Sequence, residues 1–390
     1  MVSEELLADV RAALSRQGER GPDVVVRAVE EAARARGQVL GSAALAETVR
    51  AVRDAVLGAG PLQRLLDDRS VTDVLVNGPH DVWVDRAGVM SRTSVDLGTD
   101  DDVRALAVRL AAAGGARLDD AAPAVDAQLP DGTRLHAVLP PIAAGGTLIS
   151  LRAVRGRAFS LDELVAARTV APTLLPVLRD LVSTRTNLLI TGATGAGKTT
   201  LLAAMLATVP ADERIVLIEE AAELTSGHPH LVRLVARRPN VDGAGRVDLA
   251  DLVRHAMRMR PDRIVLGECR GPEVSDVMTA LNTGHDGGCA TLHANAAVDV
   301  PARLEALGSL AGLSRAAVQA QAATAFEVVL HVRRSGALRY LAEVGVVRGG
   351  PGLEVVQAIT ADAGGATVFG TGWPALADRL GLRRAGRGVA

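Results

Sequence analysis

Residues 187–206 read NLLITGATGAGKTTLLAAML. A short apolar run, a glycine-rich segment and a run with helical spacing follow one another here, and the middle segment fits the pattern G-x-x-x-x-G-K-[ST]. The glycines let the backbone curl so that successive N–H groups point into one concavity, to which the helix N-terminus adds positive potential. The stretch therefore predicts a phosphate-binding loop between a strand and a helix, in preference to a glycine-rich turn that binds nothing.

The loop also predicts what it binds. Lys198 is expected to reach the β- and γ-phosphates of a nucleoside triphosphate, and the Thr199 hydroxyl is expected to ligate a Mg²⁺ ion that bridges the same oxygens. ATP and Mg²⁺ are therefore the predicted cofactors. The predicted nucleotide contacts in this segment are Gly192, Ala193, Thr194, Gly195, Ala196, Gly197, Lys198, Thr199 and Thr200.

Two acidic residues each close an apolar, strand-like run. Glu219 ends the run 215–219, and Glu268 ends the run 264–268. Phosphoryl transfer to water needs carboxylates at the ends of neighbouring strands to orient the metal and the attacking water, so both are predicted to be catalytic. Gly267 stands where many such enzymes place a metal-holding aspartate, and we expect Mg²⁺ to be reached through Thr199 and water held by Glu268. Which glutamate is the general base stays open at this point.

Arginine and histidine side chains complete the predicted site. Arg233 and Arg238 follow the first acidic strand in a segment poor in other charges, so they are better candidates for neutralising phosphate charge than the arginines further on. His285 and His293 lie in the segment 283–295 with three glycines and several polar residues. Their spacing does not indicate a metal site, and they are candidates for sensing the γ-phosphate.

Composition limits the possible functions. Lysine plus arginine total 43 and aspartate plus glutamate total 45, so no overall basic field attracts nucleic acid or an anionic membrane. Aromatic residues are only 2%, which disfavours stable binding of single-stranded nucleic acid through base stacking. The uncharged stretches are too short and too broken by proline and glycine to span a bilayer, and the N-terminus lacks the regions of a secretory signal. We expect a cytoplasmic protein whose Cys269 and Cys289 are free thiols.

The predicted fold class is α/β, with a P-loop NTPase domain of mostly parallel sheet, because short apolar runs alternate with helical patterns after residue 187. A small α+β domain with about five short strands is predicted before it, preceded by a helical N-terminal extension. The predicted divisions are a helical extension 1–60, an α+β domain 61–157, a helical linker 158–186, the ATPase domain 187–350 and a C-terminal tail 351–390.

Four blocks of sequence resemble the P-loop ATPases of bacterial type II and type IV secretion, and most closely those of Tad (Flp-type) pilus assembly. The blocks are the phosphate-binding loop 192–200, an acidic box 218–224, an atypical Walker B segment 259–271 and a histidine box 282–295. Their order and spacing are similar to the family throughout 188–307. A weaker similarity covers 71–152, whereas residues 1–58 and those after about 348 are only generically similar.

The resemblance implies a RecA-like domain in a homo-hexameric ring ATPase, peripheral at the cytoplasmic face of the inner membrane, which acts on a membrane platform protein. It also implies that Arg134 and Arg152 approach the phosphates from the N-terminal domain, and that His285 and His293 belong to the histidine box. Glu220 stands where aspartate is commoner in the family, which leaves the chemistry unchanged. The absence of a CxxC…CxxC zinc module favours the Tad branch.

Two other functions stay open at this stage. A DNA-pumping motor of conjugation is the main alternative, against which stand the balanced charge and the few aromatic residues. The other is an inactive nucleotide-bound scaffold, which the presence of the lysine, the threonine and two acids disfavours.

Overall fold

The structure is a computed structural model that describes residues 22–36, 41, 45, 48–49, 58–86, 88–153, 158–237 and 245–382. The chain divides into two compact units, Met1–Arg155 and Gly156–Ala390. Most of the predicted N-terminal extension, residues 1–21 and nearly all of 37–57, lies outside the described residues. Every helix among the described residues is too short or too polar to span a lipid bilayer.

An antiparallel sheet forms the centre of the first unit. Its strands are β1 (Val71–Gly78), β2 (Asp81–Arg86), β3 (Val89–Arg92), β4 (Ala124–Gln128), β5 (Arg134–Val138) and β6 (Leu148–Arg152). The described strands run in the order β3-β2-β1-β6-β5-β4, and every neighbouring pair is antiparallel. The helices of this unit are α1 (Pro22–Ala35), α2 (Gln63–Asp67) and α3 (Asp100–Ala113).

Alternating side chains give this sheet one buried face. Ile149 and Leu151 of β6 are buried, whereas their neighbours along the strand are exposed, which is the two-residue period of a strand with one face in the core. Helix α3 supplies part of that core through Leu106 and Leu110. The helix begins at a capping box in which Thr99 accepts a hydrogen bond from the Asp102 backbone N–H.

A mixed nine-stranded sheet forms the centre of the second unit in its described part. The strands are β7 (Leu188–Thr191), β8 (Ile215–Glu219), β9 (Leu231–Val235), β10 (Arg263–Cys269), β11 (Cys289–Leu292), β12 (Val328–Ser335), β13 (Leu338–Arg348), β14 (Glu354–Ala361) and β15 (Thr367–Phe369). Their order in the sheet is β15-β14-β13-β12-β7-β11-β10-β8-β9. Each neighbouring pair in the part β12-β7-β11-β10-β8-β9 is parallel, and each pair in the part β15-β14-β13-β12 is antiparallel.

Helices cover both faces of this sheet. The apolar run of β8 is continuous because both faces of the strand are buried. Ile215 and Leu217 lie in one hydrophobic cluster, while Val216 and Ile218 lie in another. The helices are α4 (Leu161–Ala166), α5 (Leu174–Ser183), α6 (Lys198–Leu206), α7 (Leu249–Ala256), α8 (Glu273–Leu281), α9 (Val300–Leu310), α10 (Arg315–Ala325) and α11 (Trp373–Arg379). The carboxyl ends of the parallel strands therefore meet at one edge of a sheet that is buried on both sides.

Two segments that the sequence analysis separated from the ATPase domain take part in the core of the second unit. Leu164 of α4 and Leu178 of α5, from the predicted linker, are buried in the same cluster as strand β7. Ile359 of β14 and Leu376 of α11, from the predicted tail, are buried there too. Periodicity shows that one face of a segment is apolar but does not show which partner covers it, so sequence alone gave no reason to join these segments to the sheet.

A buried asparagine ties the start of β7 to the segment before β11. Asn187 is 3% exposed, and its Oδ1 accepts hydrogen bonds from the backbone N–H of Gly287 at 2.8 Å and of Gly288 at 3.0 Å. The Glu327 carboxylate accepts the Asn187 backbone N–H at 2.8 Å. Asn187 therefore fixes the position at which the glycine-rich segment enters the sheet.

Replacing Asn187 with alanine is expected to lower the free energy of unfolding by roughly 3 kcal/mol, because two buried N–H groups lose their acceptor. Thermal and urea unfolding of the full chain would measure the change. Asn187→Asp keeps an acceptor oxygen at this position, and Asn77→Ala removes an exposed asparagine as a control. An unfolding midpoint of Asn187→Ala equal to that of Asn77→Ala would contradict this role.

Candidate functional site

The glycine-rich loop lies at the carboxyl end of β7 and has the backbone that its sequence predicts. Gly192, Gly195 and Gly197 have φ values of 149°, 70° and 101°, which side chains disfavour. A Cβ atom on Gly192 would lie 2.3 Å from the backbone oxygen of Val332, so this glycine is also required for space. Gly197 precedes α6 without a side-chain cap, which leaves the N–H groups of the first helical turn available to an anion.

Lys198 begins α6 and points back into the loop. Its Nζ donates to the carbonyl oxygens of Gly192 and Ala193, both at 3.1 Å, and lies 3.4 Å from Nδ1 of His293. Burial lowers the pKa of Lys198, the charge of Glu268 opposes that shift, and the charge of Arg270 adds to it. The ammonium group therefore already lies among acceptor oxygens and a carboxylate at the mouth of the loop.

Glu268, near the end of β10, faces the same place. Its Oε1 contacts Nε2 of His293 and its Oε2 accepts from the Arg270 guanidinium. Burial favours the neutral carboxyl, but the hydrogen bond from Arg270 and the charges of Arg270, His293 and Lys198 together lower the pKa of Glu268 below its usual value. Burial and the nearby Lys198 also lower the pKa of His293. Glu268 is therefore a carboxylate that lies between the Arg270 guanidinium and the His293 ring.

Glu219, at the end of β8, is more enclosed and is held differently. It is 4% exposed, and its Oε1 accepts the backbone N–H groups of Glu223 at 3.1 Å and Leu224 at 2.9 Å. Nε of Arg233 lies 2.9 Å from Oε2, but its N–H is not directed at that oxygen. Burial raises the pKa of Glu219 against these stabilising contacts. One half of this carboxyl therefore organises the loop that follows β8.

The predicted loop residues differ in exposure. Ala193, Thr194 and Gly195 are exposed, Ala196 is buried, and Thr199 and Thr200 are half-buried in the first turn of α6. Thr199 thus lies one residue after Lys198 at the helix N-terminus, where the sequence analysis expected it.

The predicted arginines lie in different places. Arg233, on β9, contacts Glu219 and donates to the Leu224 carbonyl oxygen. Arg238 lies outside the described residues. Arg134 and Arg152 belong to the first unit, where they are register partners on β5 and β6. Nε of Arg152 donates to Asp73 at 2.8 Å.

His285, a candidate for sensing the γ-phosphate, lies at the end of β11 that is away from the phosphate-binding loop of its own chain. It precedes β11, whose first residue Cys289 pairs with Leu188 at the start of β7, while the loop follows the end of β7. Nδ1 of His285 lies 3.0 Å from the carbonyl oxygen of Ala280. The seven residues between His285 and His293 contain the whole of β11, so the two histidines lie at opposite ends of one strand.

Four residues that the sequence analysis did not assign also belong to this edge. Arg270 bridges Glu268 and Glu220, the latter at 3.2 Å, and Glu273 accepts the Arg270 backbone N–H at 2.6 Å. Their closeness to Glu268 in sequence was the available signal. Arg339 of β13 donates from Nε to the Gly195 carbonyl oxygen at 2.8 Å, and buried His331 of β12 lies 2.9 Å from Thr191 Oγ1. Nothing in the sequence marks these two, because each is about 140 residues from its partner.

The residues at this edge fit a magnesium-bound triphosphate. Oε2 of Glu219 is buried and makes no hydrogen bond within the described part of the chain, and Oε1 of Glu268 is buried against Nε2 of His293. Among the described residues, no three His, Cys, Asp or Glu side chains converge on one point. Mg²⁺ in proteins is usually held by one or two side chains together with substrate phosphates and water. The Thr199 hydroxyl and Glu268 carboxylate are suited to that arrangement, which is completed only when the phosphates are present.

The chain is similar to proteins of type II and type IV secretion and of conjugal transfer. Residues 55–334 match the family described as Type II/IV secretion system protein. A putative conjugal transfer protein of Mycobacterium tuberculosis is 51% identical over 329 residues, covering 83% of this chain and 93% of its own length. Conjugal transfer protein TrbB of Rhizobium radiobacter is 31% identical over 290 residues, covering 72% of this chain and 84% of its own.

A solved structure shows a similar fold. The pilus retraction motor PilT, determined with bound ADP, superposes with a TM-score of 0.51 at 19% sequence identity, covering 83% of this chain and 87% of that one. At this identity the likeness is one of fold.

Proposed function

Since the chain belongs to the type II/IV secretion system protein family and is an ATPase of that family, we propose that it is a P-loop motor with a RecA-like domain that couples hydrolysis of Mg²⁺-ATP to pilus assembly or export of macromolecules across the cell envelope. The observation that carries the proposal is the convergence of Lys198, Glu268 and His293 on the phosphate-binding loop. These three residues come from α6, β10 and the segment after β11, and they share one edge of one sheet.

Each of these groups has a proposed task. The N–H groups of the loop and the Lys198 ammonium bind the β- and γ-phosphates, and Lys198 exchanges its bonds to the loop carbonyl oxygens for bonds to phosphate oxygens. The Thr199 hydroxyl would hold Mg²⁺ together with the phosphates, and the ion would supply positive charge near the transferred phosphoryl group. Glu268 orients the attacking water and accepts its proton, while His293 fixes the direction of the Glu268 carboxylate.

We assign the water-activating role to Glu268 and a positioning role to Glu219. Glu268 is ionised, and its Oε1 contacts Nε2 of His293, whose Nδ1 lies 3.4 Å from Nζ of Lys198 at the phosphate-binding loop. One oxygen of Glu219 accepts hydrogen bonds from the backbone N–H groups of Glu223 and Leu224. This carboxyl group therefore fixes the conformation of the loop after β8.

The hydrogen bond from Arg339 to the loop gives a further prediction. Arg339→Ala removes the 2.8 Å bond to the Gly195 carbonyl oxygen, so the loop spends less time in the conformation that binds phosphate. We expect affinity for ATP to fall about 5- to 10-fold, equivalent to roughly 1–1.5 kcal/mol for one hydrogen bond, with a smaller effect on kcat. Equilibrium binding of a fluorescent ATP analogue measures this. Arg104→Ala, a substitution in the first unit, is the control, and equal affinities for the two variants would contradict the role.

The proposed assembly is a homo-hexameric ring, peripheral at the cytoplasmic face of the membrane and bound to a membrane platform protein. In such a ring Arg134 and Arg152 of the first unit, and Arg238, supply positive charge to a nucleotide on the same or a neighbouring subunit. Light scattering of the purified chain with and without a non-hydrolysable ATP analogue would test the oligomeric state, for which a persistent monomer is the contrary result.

A turnover assay with Mg²⁺-ATP tests the proposed activity directly. We expect phosphate release that requires divalent cation and disappears on adding a chelator. No phosphate release from the folded chain, with bound nucleotide detected, would favour the scaffold function instead.

Conjugal DNA export is the second candidate, because two relatives bear conjugal transfer names. The balanced charge of the chain argues against direct DNA binding. ATP turnover that rises with added DNA and loses this response at higher salt would support DNA export. Unchanged turnover would support the pilus or protein-export function, and a pull-down with neighbouring membrane proteins would then identify the machine.

A further inference from the structure

Strand β10 is irregular at the point where it presents Glu268. Its pairing with β11 matches Leu266 to Ala290 and next Cys269 to Leu292, with a register shift between them. Two residues of β10, Gly267 and Glu268, therefore lie opposite one residue of β11, Thr291. One extra residue on one strand is the definition of a β-bulge, which bends the strand and redirects its side chains.

The bulge changes the face on which the following side chains lie. Val265 enters one hydrophobic cluster, while Ile264 and Leu266 enter the cluster on the opposite face of the sheet. Regular alternation would place residue 268 with Leu266 and residue 269 with Val265. Cys269 instead lies in the cluster of Leu266, so the alternation has shifted by one residue. The Glu268 side chain is thereby turned away from the apolar core and towards the edge that carries Lys198.

Thr291 holds the bulge in place. Its hydroxyl donates to the Gly267 carbonyl oxygen at 2.6 Å, and the residue is 1% exposed. The carbonyl of a bulged residue falls out of the regular ladder and needs another donor when it is buried. The Thr291 hydroxyl supplies that donor from the strand directly beside the bulge.

The absence of a side chain at Gly267 leaves space for Glu219 beside the bulge. A Cβ atom at residue 267 would lie 2.9 Å from Cγ of Glu219 and 3.4 Å from the Ile218 carbonyl oxygen. Its backbone does not have a positive φ, so glycine is needed here for space and not for conformation. The missing side chain leaves room for Glu219 to turn towards the loop after β8.

We propose that Thr291 and Gly267 are positioning residues for hydrolysis: the Thr291 hydroxyl fixes the Gly267 carbonyl, and the resulting bulge aims the Glu268 carboxylate at the reacting phosphate. The inference rests on the proposed function, in which Glu268 activates water. It extends that function to two residues that act through Glu268.

Thr291→Val and Thr291→Ser test the proposal as a matched pair. Valine keeps the branched shape and removes the hydroxyl, whereas serine keeps the hydroxyl. A displacement of about 1 Å at a catalytic group costs up to about 10²-fold in rate. We therefore expect kcat of Thr291→Val to fall about 10- to 100-fold with affinity for a fluorescent ATP analogue unchanged, and kcat of Thr291→Ser to stay within about 3-fold of wild type. Wild-type kcat in the valine variant, or an equal loss in both, overturns the proposal.

A double variant separates positioning from general damage to the fold. If Thr291 acts through Glu268, adding Thr291→Val to Glu268→Gln lowers the residual rate by less than about 2-fold, because the group being aimed is already gone. A full repeat of the loss seen in the single variant overturns the proposal. Gly267→Ala, expected to lower kcat about as much as Thr291→Val, provides a second test should the valine variant fail to fold, and wild-type kcat there would be contrary.

The outcome is distinguishable from a failure of the proposed function. Absence of Mg²⁺-ATP turnover in the wild-type chain would remove the proposed function itself. A wild-type chain that hydrolyses ATP, a Glu268→Gln variant that does not, and a Thr291→Val variant at wild-type rate would remove only the inference about the bulge.

Discussion

Lys198→Ala is expected to lower ATP turnover at least about 10²- to 10³-fold, the cost of removing one preorganised group that stabilises charge in a transition state. The reason is geometric, because Nζ is held within 3.1 Å of two loop carbonyl oxygens and no other cationic side chain begins the helix that follows the loop. Alanine keeps the helix start and removes the charge. Phosphate release under saturating Mg²⁺-ATP measures the effect, with Arg104→Ala as the control for loss of an unrelated cation.

A chemical property of the chain gives this variant a second readout. Lys198 is the only lysine in the sequence, and every other basic side chain among the 43 is arginine. An ammonium is a compact charge on a flexible stem, whereas a guanidinium is a planar fork, so the two are not interchangeable at a narrow phosphate site. An amine-directed reagent should label Lys198 and the N-terminus alone, and Mg²⁺-ATP should protect Lys198. If Mg²⁺-ATP did not change the labelling of Lys198 and the alanine variant had normal turnover, Lys198 would not be a phosphate-binding residue.

Glu268→Gln is the second change with a large expected effect. The amide keeps the size of the side chain and can still accept from Arg270, but it no longer accepts a proton from water. General-base catalysis contributes about 10²- to 10⁴-fold, so we expect turnover to fall at least about 10²-fold while ATP stays bound. Single-turnover hydrolysis and binding of a fluorescent ATP analogue together measure the two effects.

Glu219→Gln is the matched comparison for that variant. Its carbonyl oxygen can still accept the amides of Glu223 and Leu224, so we expect a loss of turnover smaller than that of Glu268→Gln. Wild-type turnover in Glu268→Gln would remove Glu268 from the mechanism. A large loss confined to Glu219→Gln would transfer the water-activating role to that residue.

Sequence was sufficient for the parts of the site that depend on contiguous residues. The glycines at 192, 195 and 197 have the backbone angles that their pattern requires, and the helix starts at Lys198. Each of the acids at 219 and 268 follows an apolar run in the sequence, and this pattern predicts a buried strand. In the structure Glu219 is the last residue of β8 and Glu268 is the last but one of β10. The family followed from the order and spacing of four such blocks, and the family comparison agrees with it.

Long-range pairing decided the rest. His293 and His285 look equivalent in sequence, but strand β11 between them carries only His293 to the loop, where it meets a lysine 95 residues away. Arg339 reaches Gly195 across 144 residues because β12 and β13 pair beside β7. Such contacts depend on which strands are neighbours and in what register, and no local pattern encodes either.

The sequence by itself determined the phosphate-binding loop, the strand ends that carry two acids and the class of chemistry, since each depends on backbone preferences over a few adjacent residues. Only the tertiary structure decided which acid faces Lys198. The bulge at Gly267 and its hydrogen bond from Thr291 arise because β10 and β11 pair with a one-residue shift in register. The tertiary structure also decided that α4 and α5 pack against the central sheet and that β14 and β15 extend it. The physical reason is the same in each case. An apolar face can be buried against any other apolar face of the chain, and which two faces pack together depends on the fold of the whole chain.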